Sequence, residues 1–455
     1  MKYKKSIYNV EIDKLEDGKK LMYNTYNGNY GIMDIETQNI YNNLENTDIL
    51  NIEDIKIKKN LNIMKSRGYI IPTEIDELSL VKLQRETYRY NSQVLTLTVA
   101  PTMDCNMACP YCYENRNKLV MSKETQKNLI QFVRAHFDRY PEIKIFGVAW
   151  YGGEPLMQKE VIFNLSEKFI EICKEKGIDY SASITTNGVF LDTETSRHLV
   201  EKCGIVTAQV TIDGMRNTHN KRRLLINGED SFDIIINNIE NCDKRLRIGI
   251  RVNVDRENFE EVETLTKFFI GEKGWVQNPS FYFAPVEDFN ASCDKDGTTC
   301  MIASEFANTN NKYLRINYEL NRQSAVRNFY PRSKKSTFCA AESLLSYVID
   351  PEGYYYNCWH HIGNPEFKTG DIKMPFVPTE KYLKWLLLGL DEKCEKCEYL
   401  PLCQGGCGVH RLNGEAKCFH TYYGYKETLK LAYEDYKLQK SKPTKPCSEC
   451  VSNKA

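Results

Sequence analysis

The sequence predicts an α/β protein: a partial (β/α)6 barrel with a small winged-helix-like module before it and a cysteine-rich region after it. Three observations carry this. Between about residues 94 and 290, apolar strand runs alternate with helix-length segments. Residues 1–75 follow a separate hairpin-and-helix pattern. Seven cysteines fall between residues 339 and 418, where the strand–helix rhythm has stopped. At 455 residues the chain has room for about three domains of roughly 150 residues each.

In the N-terminal module, SIYNVEID (6–13) alternates as a strand does, and KKLMYNTYNGNYGIMD (19–34) reads as a hairpin around a two-residue Asn27-Gly28 turn. Two helices are expected next. The second, within 51–68, places Ile57, Leu61 and Met64 on one face and stops at Gly68, before a short strand YIIP. Residues 76–93 read as a linker helix. The core strands are VLTLTVA, IKIFGVAWY, YSASITT, GIVTAQVTI, LRIGIRVNV and PSFYFAP. Helices such as 122–140, opened by Ser122, and 257–274 separate them, which implies a parallel sheet with right-handed crossovers. A bridging region (291–338), a cysteine-rich domain (339–440) and a polar tail (441–455) complete the chain.

Lys plus Arg and Asp plus Glu number 61 each, so no global field favours nucleic acid or an anionic membrane as partner. No apolar run has the length of a signal peptide or a membrane span, so a cytoplasmic location is expected. Seventeen cysteines in a reducing compartment point to metal or catalytic thiols rather than disulfides.

The densest thiol pattern is Cys105-x3-Cys109-x2-Cys112, in the loop beyond the first core strand. Sites in parallel sheets gather at that end. Three thiolates on one short loop lack the fourth ligand of a zinc site but suit a 4Fe-4S cluster with one open iron. Gly152, Gly153 and Glu154 end the second strand: two glycines admit close backbone approach, and the carboxylate offers an ammonium an acceptor. The third and fourth strands end in ITTNG and QVTIDGMRNTHNKRR.

These residues resemble the radical S-adenosylmethionine (SAM) enzymes, in which the open iron chelates SAM and the reduced cluster cleaves it to a 5'-deoxyadenosyl radical. The resemblance implies SAM contacts from Tyr111, Gly152, Gly153, Glu154, Thr186, Asn187, Gln209 and Arg223, with Tyr111 beside the adenine. Asp213, Gly214 and His219 belong to the same strand-end pattern. Arg222 adjoins Arg223 as a rival for the SAM carboxylate, and His219 reads equally as structural or catalytic. No catalytic residue beyond the SAM cluster is assigned.

The second cysteine field, Cys339-x13-Gly353-x4-Cys358 and Cys394-x2-Cys397-x5-Cys403-x3-Cys407 followed by Cys418, exceeds what one four-ligand site uses. It resembles the SPASM domain of peptide-modifying radical SAM enzymes. That resemblance implies two auxiliary 4Fe-4S clusters, an outer one on Cys394, Cys397, Cys403 and Cys418 and an inner one on Cys339, Cys358 and Cys407. The inner set lacks a cysteine shortly before Cys339: either Cys293 or Cys300 reaches in, or an iron stays open. Cys447 and Cys450 form a separate pair read as spectators or weak metal ligands.

The order of domains resembles maturases of ribosomally synthesised, post-translationally modified peptides, whose N-terminal recognition element binds a precursor's leader. The expected function is oxidative modification of a precursor peptide, foremost by a thioether cross-link, with flavodoxin or ferredoxin as electron donor. Carbon–carbon cross-linking is the alternative. So is anaerobic sulfatase maturation, where an aspartate base follows the cysteine equivalent to Cys358. Here Trp359, His360 and His361 follow it.

Overall fold

The structure, a computed structural model, describes residues 2–44, 54–114, 116–288, 293, 299–322 and 337–441. The expectations for Cys447 and Cys450, and residues 291–292, 294–298 and 323–336 of the bridging region, fall outside these residues. No helix among the described residues is long and apolar enough to cross a membrane.

The N-terminal module contains β1 (Tyr3–Lys5), β2 (Asn9–Lys14), β3 (Lys20–Asn24), β4 (Tyr30–Met33) and β5 (Ile70–Pro72). β2, β3 and β4 form an antiparallel meander, while β1 pairs with β5. The expected two-residue turn is corrected to a longer loop. Pairing ends at Tyr23 opposite Tyr30, and the Asn24 side-chain oxygen accepts from the backbone N–H groups of Tyr26 and Asn27 at 3.1 Å each. An Asn side chain thus supplies the turn's hydrogen bonds.

Helices Ile35–Asn42 and Ile55–Ser66 follow. Asp54 caps the second by accepting from Lys56 and Ile57. At its far end Gly68 takes φ +70°, and Tyr69 N donates to Met64 O at 2.9 Å while Gly68 N donates to Lys65 O at 3.0 Å. This is a Schellman stop, which needs a residue tolerant of positive φ. Leu61 and Met64 pack against Met22, Met33 and Ile70.

The core holds β6 (Val94–Val99), β7 (Ile145–Trp150), β8 (Asp179–Thr186), β9 (Ile205–Thr211), β10 (Arg247–Val254) and β11 (Ser280–Pro285). All neighbours pair in parallel and in chain order. The sheet does not stop at six strands. β12 (Ser346–Ile349) joins β6 in parallel, and β13 (Tyr354–Tyr356) and β14 (Gly370–Asp371) continue antiparallel, giving nine. The C-terminal region therefore extends the barrel's own sheet.

Burial alternates along these strands. Leu95, Leu97 and Val99 are buried in the main core with Ile248, Ile250 and Val252, whereas Thr96, Thr98, Arg251 and Asn253 are half-buried on the other face. One face packs on helices and the polar face lines the concave side. Helix Lys123–Arg139 opens where Ser122 accepts from Thr125 N at 3.0 Å. The single helix expected over 257–274 is instead a 3-10 turn, a short α-helix (Val262–Lys267) and a π turn (Phe268–Glu272). The wider turn lets two consecutive aromatics, Phe268 and Phe269, both enter the core.

The N-terminal module docks on the cysteine-rich region. Val10, Ile12, Leu21 and Tyr23 cluster with Tyr399, Leu402 and Leu429, and Tyr30 Oη donates to Leu429 O at 2.6 Å. Truncating the fully buried Leu429 to Ala is expected to cost about 2–5 kcal/mol at this junction. Limited proteolysis should then release the N-terminal module sooner while the barrel's unfolding transition stays in place; unchanged proteolysis would contradict the docking.

Candidate active site

β6 runs into the loop that carries Cys105, Cys109 and Cys112. Asp104 Oδ1 accepts from Cys105 N at 2.9 Å, and Cys112 N donates to Cys109 O at 3.2 Å, which curls the loop. Ala100 and Met103 at its base pack with Val348, Tyr356 and Ile362 of the added strands. The turn after β7 lies directly on this loop: Gly153 N donates to Thr102 O at 3.2 Å and Glu154 N to Asp104 O at 2.8 Å. A Cβ on Gly152, which has φ +112°, would overlap the Thr102 carbonyl, and one on Gly153 would overlap that of Asp104. Here both glycines are needed to seat the turn against the cysteine loop, a cause distinct from the ligand approach inferred from sequence.

Glu154 is 0% exposed. Its carboxylate accepts from Thr186 Oγ1 at 2.7 Å, Leu156 N at 3.0 Å and Asn187 N at 2.7 Å. Burial pushes its pKa up, and these hydrogen bonds oppose the rise. The carboxylate thus braces the ends of β7 and β8. Asn187 then reaches back, donating from Nδ2 to Asn106 Oδ1 at 2.7 Å. Gln209 lies apart from this network, accepting from Tyr282 Oη at 2.6 Å.

The two adjoining arginines take different acceptors, although the buried Nε of Arg222 also has no hydrogen-bond partner and its guanidinium lies 5.0 Å from the Tyr111 ring. Arg222 grips Asp255 with two bonds of 3.0 and 2.7 Å and adds Glu257 at 3.0 Å. Arg223 donates to Tyr111 Oη at 2.7 Å and lies 3.8 Å from Asp213, and its buried Nε has no hydrogen-bond partner. An unused guanidinium donor at the cysteine loop is what an anionic ligand group would meet. Tyr111 donates to Asp213 Oδ2, so its hydroxyl is part of the Asp213–Arg223 network. His219 is fully buried: its Nδ1 accepts from Asp213 N at 3.3 Å, and its Nε2 lies 3.1 Å from Ser231 Oγ. It braces the backbone of Asp213 against Ser231.

The thiols are gathered in the same groups as their spacing. Burial pushes Cys105 up to about 12, with Cys109 adding to the rise and Arg223 opposing it. Cys109 is also raised by burial, against Arg223 and a Tyr111 hydrogen bond. Cys358 is raised by burial and by the neighbouring Cys339 and Cys407. Cys394 is raised to about 11 by burial and by Cys403, Cys397 and Cys418. No three His, Cys, Asp or Glu side chains among the described residues converge tightly enough for a single metal ion. Soft, desolvated thiols beside a cation form a donor set suited to iron–sulfur ligation, which holds them as thiolates. Cys293 and Cys300 are joined to each other in a disulfide, Cα atoms 5.7 Å apart. Neither is offered to the inner group as a free thiol.

The sequence reading passed over one cluster. Tyr113 hydrogen-bonds Tyr151, its ring lies 4.3 Å from that of His360, and Tyr151 stacks on Trp359 at 6.0 Å. Glu114, pushed up to about 7 by burial, keeps a buried Oε2 without a hydrogen-bond partner. These contacts join the Cys105–Cys112 loop to the loop after Cys358. The signal was the polar pair Tyr113-Glu114 directly behind Cys112.

Two outcomes follow from this geometry. Gly153→Ala is expected to displace the cysteine loop and cut iron and sulfide bound after anaerobic reconstitution, leaving the far-ultraviolet circular dichroism intact; full loading would refute the seating argument. His219 is held well below its usual pKa of 6.5, first by burial and then by Arg223 and Arg222. The unfolded chain therefore binds a proton below pH 6.5 that the folded one refuses. That contribution removes about 1.4 kcal/mol of stability per pH unit below this point. Denaturant unfolding of wild type and His219→Asn at pH 7.5 and 5.5 checks it, the variant being less sensitive to pH.

Comparison with known proteins accords with this arrangement. The sequence model of the Radical SAM superfamily matches residues 99–269. A cysteine-type anaerobic sulfatase-maturating enzyme of Clostridium novyi is 24% identical over 338 residues, covering 69% of this chain and 87% of that enzyme. The structure of anSMEcpe with bound AdoMet and Kp18Cys peptide superposes with TM-score 0.60 at 19% identity, over 76% of this chain and 99% of that one. Streptococcus suis SuiB bound to precursor peptide SuiA gives TM-score 0.50 at 15% identity, over 92% and 98%. Residues 99–269 form a radical SAM domain, and with its peptide-maturase relatives this makes the chain an enzyme.

Proposed function

We propose that the enzyme acts on a ribosomally made precursor peptide and closes a thioether between a cysteine sulfur and a carbon. When bound, SAM and its 4Fe-4S cluster supply one-electron reductive cleavage and abstraction of a substrate hydrogen. Cys105, Cys109 and Cys112 would hold that cluster, while Gly152, Gly153, Thr186, Asn187 and Arg223 frame the adjoining space for SAM. Cys394, Cys397, Cys403 and Cys418 would hold an outer auxiliary cluster, and Cys339, Cys358 and Cys407 an inner one. The proposed electron donor is a flavodoxin or ferredoxin.

The observation that carries this reading is the junction of Tyr113, Tyr151, Trp359 and His360. It sets the three-cysteine loop against the loop of Cys358. Substrate held there faces the site of hydrogen removal on one side and the inner thiols on the other. Closing a thioether from a thiol and a C–H removes two hydrogens. One leaves as a hydrogen atom, and the other as a proton and an electron that a nearby acceptor takes up.

A peptide substrate is further supported by the N-terminal module. A cavity of about 130 Å³ lies between edge strand β4 and helix Ile55–Ser66, lined by Gly31, Ile32, Met33, Ile63, Met64 and Arg67. An added strand would meet the outer edge of β4, where Tyr30 O already accepts from Arg67 Nη1 at 3.1 Å, with the cavity beside it. The SuiB match spans 92% of this chain and the anSMEcpe match 76%, a difference comparable in length to this module.

Sulfatase maturation remains the second reading because several relatives carry that name. Trp359, half-exposed and stacked on Tyr151, stands where that reading expects an aspartate base.

Replacing Cys105, Cys109 or Cys112 with Ala is expected to abolish 5'-deoxyadenosine production; retained production would sink the proposal. Cys394→Ala and Cys403→Ala should lower iron content and peptide modification more than SAM binding. Mass spectrometry of a co-expressed precursor should show a loss of two hydrogens per cross-link, with one fewer alkylatable thiol. Formylglycine on a sulfatase peptide, with no change to the precursor, would decide for the second reading.

A further inference from the structure

A buried charge knot lies beside the inner thiols and takes no part in the chemistry described so far. Its centre is Glu342, 1% exposed, in the turn Ala340–Glu342 directly after Cys339. One carboxylate oxygen accepts from Arg85 Nη2 and the other from Arg411 Nη2, while Arg89 Nε lies 3.7 Å away. All three guanidinium groups are buried. Arg85 and Arg89 come from the linker helix Glu77–Arg89; Arg411 comes from the turn that Cys407 opens.

Positive charge predominates in this knot. The only other carboxylate on it, among the described contacts, is Glu86, which meets Arg85 at 2.6 Å and Arg89 at 2.8 Å with a side chain 38% exposed. The remaining guanidinium donors go to backbone carbonyls: Arg85 to Leu388 at 3.1 Å, Arg89 to Leu386 at 2.6 Å and Arg411 to Gly389 at 2.6 Å. The Nε atoms of Arg85 and Arg411 are buried without hydrogen-bond partners. One desolvated carboxylate cannot neutralise three desolvated cations, and charge fields fall off slowly where water is excluded.

The knot also abuts the inner thiols. A Cβ on Gly408, the residue after Cys407, would lie 3.3 Å from Glu342 Oε1 and 2.8 Å from the Trp385 ring. Trp385 in turn packs with Cys358, Cys339 and Ala341. Burial raises the Cys339 and Cys407 thiols; Glu342 adds to the first, while on the second Glu287 adds and Arg411 opposes.

We propose that Arg85, Arg89 and Arg411 are positioning residues that hold up the reduction potential of the inner cluster on Cys339, Cys358 and Cys407, favouring its uptake of an electron. This rests on the reading that these thiols ligate a cluster. An added electron increases the cluster's negative charge, and uncompensated cations in a dry surround stabilise that form. Because two of the cations stand on the linker helix, the potential depends on how that helix seats.

The test is a redox titration of the reconstituted full-length enzyme followed by electron paramagnetic resonance. Cys358→Ala identifies the inner signal by its loss. Arg85→Met should lower the inner potential by about 59 mV or more, a tenfold change in a one-electron equilibrium, with the outer signal unmoved. Glu86→Gln, which removes a half-exposed carboxylate and leaves the buried pairs intact, should shift it upward. An unmoved inner potential in iron-loaded Arg85→Met, or a rise, overturns the proposal. Should Arg85→Met not fold, the absence of an upward shift in Glu86→Gln overturns it alone. If Cys358→Ala retains wild-type iron and spectrum, the cluster assignment itself fails, an outcome distinct from failure of the charge effect.

Discussion

The active end of the barrel depends on one buried carboxylate. Glu154 holds Thr186, Asn187 and Leu156 through three hydrogen bonds, and its own N–H is tied to Asp104 in the cysteine loop. Each partner would leave a desolvated polar group behind if the carboxylate were removed, at about 1–3 kcal/mol apiece. The ends of β7 and β8 are thereby fixed relative to the loop of Cys105, and Asn187 closes the circuit through Asn106. The Gly152–Gly153 turn can enter this contact only because neither residue carries a Cβ. Rigidity here comes from backbone held by a side chain, which is what a site that must position a reactive species needs.

The second constraint is the sheet itself. Its convex face is apolar and packed, and its concave face carries Thr96, Thr98, Arg251 and Asn253, so polar groups and space accumulate on one side. β12 continues that sheet beside β6, and the loop of Cys358 follows β13. Strand pairing, rather than a flexible tether, thus brings the second cysteine field to the first. The N-terminal module leans on the same region through Tyr23, Tyr399 and Leu429, so all three parts of the chain meet around the thiols.

Much of this was legible in one dimension. All six core strands read correctly, because apolar residues recur with the period that one packed face imposes. Ser122 and Gly68 marked helix ends through hydrogen bonds that stay within a few residues. The three-cysteine loop was legible because its ligands lie close in sequence. The π turn at Phe268–Glu272 was not, since it arises from fitting two aromatics into one core. Nor was the commitment of Glu154, whose partners at 186 and 187 lie on another strand.

The sequence by itself determined the kind of chemistry and the elements that carry it: thiol spacing, strand period and helix caps are local properties written in neighbouring residues. Tertiary structure alone decided how those parts are used. It gave Arg222 to Asp255 and Arg223 to Tyr111, although the two adjoin in the chain. It turned His219 into a brace for Asp213, paired Cys293 with Cys300, and gathered three arginines on Glu342 from segments hundreds of residues apart. The physical reason is common to all four. A charged, polar or sulfur-bearing side chain takes its role from whichever partner meets it after water is excluded, and that partner is set by packing of distant segments.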